Sequence, residues 1–231
     1  MRGKNPTTAR EEARRRLLAA TLSHVPFDGW TMTAIRAGAA DLGMALGDAR
    51  RLFPGGPDEA VAFFVAEADR RMEEELARRE LGKMRIRDRI ATAVRVRLEQ
   101  HAQHREAIRR ALAVQALPRN GPGGLRSLYR TVDAMWRAAG DASTDFSFYT
   151  KRFLLSGVYV STLMFWINDR SKGSQATWAF LDRRIDDVMA IQKLRGRVGR
   201  YLPDPEAFLA RALGRRKGRA ANPFSSSRTA A

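Results

Sequence analysis

The longest apolar pattern in the chain lies between residues 153 and 167, where no charge interrupts the run. Large side chains there point in every direction around a helix, among them Phe153, Leu155, Val158, Leu163, Phe165 and Trp166. A helix apolar on all sides is buried on all sides, in a protein core or in lipid. A membrane span takes roughly 20 such residues, and this run is shorter. Burying ten or so of these side chains at about 1.5–3 kcal/mol each gives a gross gain of tens of kcal/mol. The pattern therefore predicts a helix over 144–169 as the central element of an all-α domain. Ser143 or Thr144 is expected to cap it, with Asp145 in its first turn. Gly157 and Ser161, four apart, leave a thin strip where a helix or ligand can approach.

Weaker stripes surround this segment. Leu17, Leu18, Leu22 and Val25 predict a helix from about Thr8 to His24, stopped by Pro26. Thr31 or Thr33 can cap a second helix ending at Gly43, and a third is expected from Gly47 to Phe53. Two short helices split by a glycine turn make a helix-turn-helix. With Phe53-Pro54 and a new helix after it, the arrangement resembles the amino-terminal domain of TetR-type repressors. Further helices are expected over 58–79, with Val61, Phe64, Val65, Ala68 and Met72 inward and the RRMEEELARRE stretch solvated, and over 85–101, burying Ile86, Ile90, Val94 and Leu98. PRNGPGG reads as a loop before a helix that buries Leu125, Leu128, Val132, Met135 and Trp136, and a later helix turns Trp178, Leu181, Ile185, Val188 and Met189 inward. The expected organisation is a basic flexible amino terminus (1–9), a helix-turn-helix region (10–56), a helical core (57–195), a short basic amphipathic helix (196–217) and a disordered tail (218–231).

Composition narrows the chemistry. The chain has no cysteine, which excludes disulfides, thiolate metal sites and cysteine nucleophiles. His101 and His104 lack the acidic partners of a di-iron bundle, and no metal is expected. No nucleophile–base pair or phosphate loop is visible, so the chain does not read as an enzyme. Its net charge is +17. Residues 1–16 carry +4 of this and residues 193–231 carry +8, leaving +5 for everything between. Basic tails suit anionic surfaces of any kind. The helix-turn-helix is itself neutral: Arg36, Arg50 and Arg51 face Asp28, Asp41 and Asp48 across 28–53. Phosphate binding needs a local excess of Lys and Arg, which argues against nucleic acid as a partner. In the tail, Asp204 and Pro205 open a helix whose Phe208, Leu209 and Leu213 fall on one side, with Arg211, Arg215 and Arg216 elsewhere. That composition fits a membrane interface. The first 16 residues have no apolar h-region and include Glu11 and Glu12, from which a bacterial cytoplasmic protein, peripheral on the inner face of the plasma membrane, is expected.

AGDASTDFSFYTKRFLLSGVYVSTLMFWINDRS, followed by TWAFLDRRIDDVM, resembles the carboxy-terminal signature of the ninth coenzyme Q biosynthesis protein family. VPFDGWTMTAI, LFPGG and LGKMRIRDRI match earlier parts of that family, so the resemblance covers about residues 10–195. It implies a TetR-like fold, a homodimer, a bound isoprenoid or phospholipid without a cofactor, and assistance to the di-iron hydroxylase that acts late in ubiquinone synthesis. The hydroxylase contact it implies falls on Asp145, Phe148, Tyr149, Lys151 and Arg152, with Phe148 where the family usually has tryptophan. The lipid site is expected along the apolar helix, at Phe153, Leu154, Gly157 and Val158 and at Val160, Ser161, Met164 and Phe165. The membrane contact would use Phe208–Arg216. A TetR-type, ligand-responsive transcription regulator is the alternative reading.

Overall fold

The protein, known here from a computed structural model, is described over residues 6–118, 120–141 and 146–198. These residues are helical, with no strand among them. They form α1 (Pro6–Asp28), α2 (Met32–Asp41), α3 (Leu46–Leu52), α4 (Gly56–Ala77), α5 (Ile86–Glu99), α6 (Arg105–Gln115), α7 (Gly121–Ala138), α8 (Phe146–Asn168) and α9 (Gln175–Val198). The chain divides into two compact units, Met1–Asp186 and Asp187–Ala231, with the boundary inside α9. The helix-turn-helix region and the core up to Asp186 thus lie in one unit.

The first three helices end where their punctuation dictates. Thr31 accepts a hydrogen bond from the Ala34 amide, and Gly43 turns the chain with φ +61° as the Met44 amide reaches back to the Ala39 carbonyl. The α1–α2 contact is very close: a Cβ on Gly38 would lie 2.6 Å from the Thr21 nitrogen. Pro26 does not stop α1, which continues to Asp28. So near the end, proline forfeits a single ladder bond, and Gly29 (φ +70°) closes the helix by donating to the Val25 carbonyl. Two contacts tie this region to α6: Trp30 Nε1 donates to Ala107 O at 2.9 Å, and Arg110 to Pro26 O at 2.9 Å.

The core is built by α4, which packs on α5 and α7, while α8 packs on α5, α6 and α7. Val61, Phe64, Ala68, Met72 and Leu76 of α4 are buried as their spacing requires, whereas Ile86 and Leu125 are exposed. GPGG is not loop but the first turn of α7. Pro122 sits where an N–H has no helical partner, and the Gly124 amide closes the turn on Asn120 O at 2.8 Å.

The largest departure concerns α8. Leu155, Val158, Tyr159, Leu163, Trp166 and Ile167 are buried, but Phe153 is 79% exposed, and Tyr149, Val160, Met164 and Phe165 are exposed too. Spacings of 3–4 put Tyr149, Phe153, Gly157, Val160 and Met164 on one helix face. The helix is therefore not enclosed on all sides; α4 takes the central place. Arg105 and Arg109 cap the end of α8, donating to the carbonyls of Trp166 (3.0 Å) and Ile167 (3.2 Å). Asp169 then binds the Thr177 amide and hydroxyl and the Ser171 amide. Burial alone would raise its pKa, but these hydrogen bonds from Thr177 and Ser171 hold it at about 2. The expected caps Ser143, Thr144 and Asp145 lie outside the described residues.

Candidate functional site: an apolar cavity with a polar inner end

Five helices enclose a cavity of about 300 Å³. Phe64 and Val65 of α4, Leu98 of α5, Ile108 and Leu112 of α6, Leu128 of α7 and Leu163 of α8 line it. Its rim includes Leu125, 68% exposed, and the half-exposed Val160. The volume is at the small end for ligand pockets.

The lining also includes the buried polar side chains Arg97, Ser127, Thr131 and Tyr159. Arg97 Nε donates to Asp69 at 2.9 Å, and the Thr131 hydroxyl contacts the same carboxylate at 2.9 Å. Two buried charges are tolerated because each neutralises the other and the carboxylate keeps its hydrogen bonds. Burial, opposed in part by the Arg97 charge, raises the pKa of Tyr159, so its phenol stays protonated.

A second, more polar cavity of about 280 Å³ lies between α1, α4 and the turn at His101–His104. Phe64 belongs to the walls of both cavities. His101 meets the Phe64 ring edge-on at 5.4 Å. Burial and then the nearby Arg97 charge lower its pKa to about 3, so it is neutral near pH 7. Glu67 is buried among Arg15, Arg70 and Arg71. Burial raises its pKa, but the three arginine hydrogen bonds outweigh this and hold it at about 2. Among the described residues no cluster of His, Asp or Glu could hold a metal ion.

The expected sites fall unevenly on this arrangement. Of the eight lipid-site residues, only Val160 lines the cavity; α8 contributes Tyr159 and Leu163 instead. Phe153, Gly157, Met164 and Phe165 belong to the exposed side, Leu154 and Ser161 are half-buried, and Val158 is packed inside. An all-apolar helix gives no sequence signal for which face turns inward. In the expected docking patch, Tyr149 is exposed, as a contact requires. Arg152 is not: it is 3% exposed, bound to Asp133 at 2.7 Å and Asp141 at 3.2 Å. It is structural, because freeing it would take the buried cation from between the two carboxylates, leaving Asp133 to Arg137 and Asp141 to the partly exposed Lys151. Lys151 is half-buried and paired with Asp141 at 2.8 Å. Asp145 and the Phe148 side chain lie outside the described residues, as do Phe208, Leu209, Arg211, Leu213, Arg215 and Arg216. No described helix is long and apolar enough to cross a membrane. On α3, Arg51 pairs with Asp48.

Comparison with known proteins gives three results. Residues 121–192 match the COQ9 family model. The chain is 38% identical over 186 residues to the mitochondrial ubiquinone biosynthesis protein COQ9 of Rattus norvegicus, covering 78% of this chain and 59% of that protein. It is 37% identical to the Homo sapiens protein of the same name, covering 78% and 58%. It thus spans about three-fifths of the length of these relatives. Among solved structures, a TetR transcriptional regulator from Nitrosomonas europaea superposes with a TM-score of 0.64 at 22% identity, over 76% of this chain and 97% of that one. This match establishes the TetR-like fold alone. The relatives are named as mitochondrial proteins, which overturns the expected bacterial cytoplasmic location. That expectation rested on residues 1–16, and the start of a chain that spans only part of its relatives carries no information on compartment.

Proposed function

Because the chain belongs to the COQ9 family, we propose that it acts in ubiquinone biosynthesis as a non-catalytic accessory protein. It binds the head and first carbons of an isoprenoid quinone precursor and presents them to the di-iron hydroxylase at a membrane surface. One observation carries this reading: an apolar cavity about 300 Å³ in size, whose rim residue Val160 also belongs to the exposed apolar face of α8. Exposing a polyprenyl chain to water costs about 0.8 kcal/mol per CH₂. A cavity for the head beside a greasy strip for the tail meets that requirement. Tyr149, one turn before Phe153 on the same face, serves as the hydroxylase contact, and the basic tail holds the complex on anionic lipid.

Native mass spectrometry of the purified protein tests the lipid reading. The expected result is a co-purifying isoprenoid that is depleted by Leu128→Trp, which fills the cavity. A wild-type protein that carries no lipid and takes up none from vesicles rejects it. For the docking contact, Tyr149→Ala should weaken hydroxylase association without changing the melting temperature; unaltered association rejects that part. The regulator alternative loses support from the neutral helix-turn-helix and from the Arg51–Asp48 pair on α3. Sequence-selective, salt-dependent operator binding in a gel-shift series would restore it.

A further inference from the structure

We infer that the polar cavity between α1, α4 and the His101–His104 turn binds a small organic monocarboxylate, whose charge meets Arg15 and Arg71 and whose apolar body lies against Leu18, Leu22 and Phe64. The site is distinct from the apolar cavity, with which it shares only the Phe64 wall, and it does not depend on the proposed function. Its volume of about 280 Å³ suits a compact molecule. The charged groups lining it are the guanidiniums of Arg15 and Arg71 and the carboxylate of Glu67, together with the polar side chains of His101, Gln103 and His104. Glu67 does not repel an incoming anion with a bare charge. Its two oxygens already accept from Arg15 (3.1 Å), Arg70 (2.6 and 2.9 Å) and Arg71 (3.2 Å). Its part is to anchor the arginines.

The cation left over is Arg71. Arg15 also binds Glu11, and Arg70 also binds Glu74, whereas Arg71 pairs with Glu67 alone among the described residues and gives it only Nε. Its side chain is 53% exposed, so the terminal nitrogens stay hydrated until a ligand displaces that water. A carboxylate accepting from both makes the two-pronged pair that a planar guanidinium favours. The histidines add hydrogen-bonding nitrogens but no charge. His101 Nδ1 contacts the Arg97 carbonyl at 3.4 Å, so Nδ1 carries the ring proton and Nε2 keeps its lone pair. Burial, and then the Arg71 charge, lower the pKa of His104 as well. The lining therefore holds two positive charges against one negative, which a single anionic charge balances. A doubly charged phosphate would exceed that balance and set hydrated oxygens against Leu18, Leu22 and Phe64.

Calorimetric titration of the wild-type protein with benzoate, benzamide and inorganic phosphate tests the site, with the imidazole nitrogen NMR shifts read in parallel. Benzoate and benzamide share a shape and differ in charge. The chain has three histidines, and His24, paired with Asp41 away from this cavity, serves as the internal control. Benzoate should bind about tenfold or more tighter than benzamide and tighter than phosphate. It should shift the signals of His101 and His104 and leave that of His24 in place. Arg71→Gln should weaken benzoate roughly ten- to hundredfold, the loss expected for hydrogen bonds to a charged group. The variant should fold, because Arg71 is half-exposed and Glu67 keeps Arg15 and Arg70. Equal affinity for benzoate and benzamide would overturn the inference, as would tighter binding of phosphate or a benzoate affinity indifferent to Arg71→Gln. Binding that leaves His101 and His104 unshifted would place the ligand elsewhere and also overturn it. No binding at millimolar benzoate would show a cavity that holds water only. The wild-type series and its NMR shifts decide the question even where the variant fails to fold.

Discussion

Asp69→Leu should be among the most damaging single substitutions in the core, and pairing it with Arg97→Met should relieve most of the damage. Asp69 and Arg97 are 8% and 5% exposed, and their 2.9 Å contact joins α4 to α5 beneath the cavity. Removing the carboxylate strands a guanidinium that α7 cannot compensate, since Thr131 offers it only a hydroxyl. Breaking one half of a buried pair typically costs 3–5 kcal/mol, whereas replacing both halves with apolar groups is often near neutral. For a unit this size each kcal/mol moves the melting temperature by about 2–4 °C. The single variant should therefore melt roughly 6–20 °C lower, and the double variant should recover at least half of that loss. Thermal and urea unfolding of wild type, both singles and the double closes the cycle. The electrostatic reasoning fails if the double variant is as unstable as Asp69→Leu, or if Asp69→Leu costs less than about 1 kcal/mol.

Gly38→Ala forces a Cβ to within 2.6 Å of the Thr21 nitrogen, so α1 and α2 must separate; a loss of about 1–3 kcal/mol is expected in urea melts, and wild-type stability would refute the close contact. His101 titrates near 3 folded but near 6.5 unfolded. The unfolded chain then binds the extra proton, so stability should fall as pH drops through that window, and His101→Gln should flatten this slope in melts between pH 7 and 4. Glu67 has its folded pKa lowered to about 2 from 4.5, so its stabilisation is complete above 4.5 and disappears as pH falls toward 2. Glu67→Gln should make the protein less stable at neutral pH and less responsive to acid below 4.5. Finally, Phe153→Arg with Met164→Arg should lower uptake of a long-chain quinone from vesicles, because these side chains form the exposed apolar face of α8 proposed to cover the tail; unchanged uptake removes that face from the lipid path.

The sequence made the helix-turn-helix legible because its ends are marked by residues with one local job, Thr31 as a cap and Gly43 as a left-handed turn. It also made the inward faces of α4 and α5 legible, where apolar and polar positions alternate at helical spacing. It could not orient α8. Amphipathic contrast is what reveals a face, and α8 has none, so Tyr159 and Leu163 could not be distinguished from Phe153 and Met164 as cavity residues. Charge misled in the opposite way. Glu67, Asp69, Arg97 and Arg152 look like surface residues, yet all four are buried. Their partners are 28 positions away for Arg97 and Asp69, and 52 for Arg15 and Glu67. No local pattern encodes such pairings. Glu67 also has local partners in Arg70 and Arg71, but such i,i+3 and i,i+4 pairs are equally common on solvated faces and do not mark it as buried.

The size of the cavity bears on what kind of lipid handling the proposed function can mean. A cavity of about 300 Å³ is at the small end for ligand pockets, which suits a head group and not a long polyprenyl chain. At about 0.8 kcal/mol per CH₂, two fully exposed isoprene units would already cost several kcal/mol. Affinity from one small pocket could not offset a long tail left in water. The tail must therefore stay covered throughout, by the bilayer, by the exposed apolar face of α8, or by both in turn. Val160, on the rim and on that face, is where such a chain would pass from one to the other. The proposed role is thus that of a presenter working at a membrane, which lifts the head group out while most of the chain remains in lipid. It also predicts a dependence a soluble carrier would lack. Transfer of a long-chain quinone between separated vesicle populations should be negligible, while uptake of its head group from a single vesicle should proceed. Rapid transfer between populations would contradict the volume reasoning.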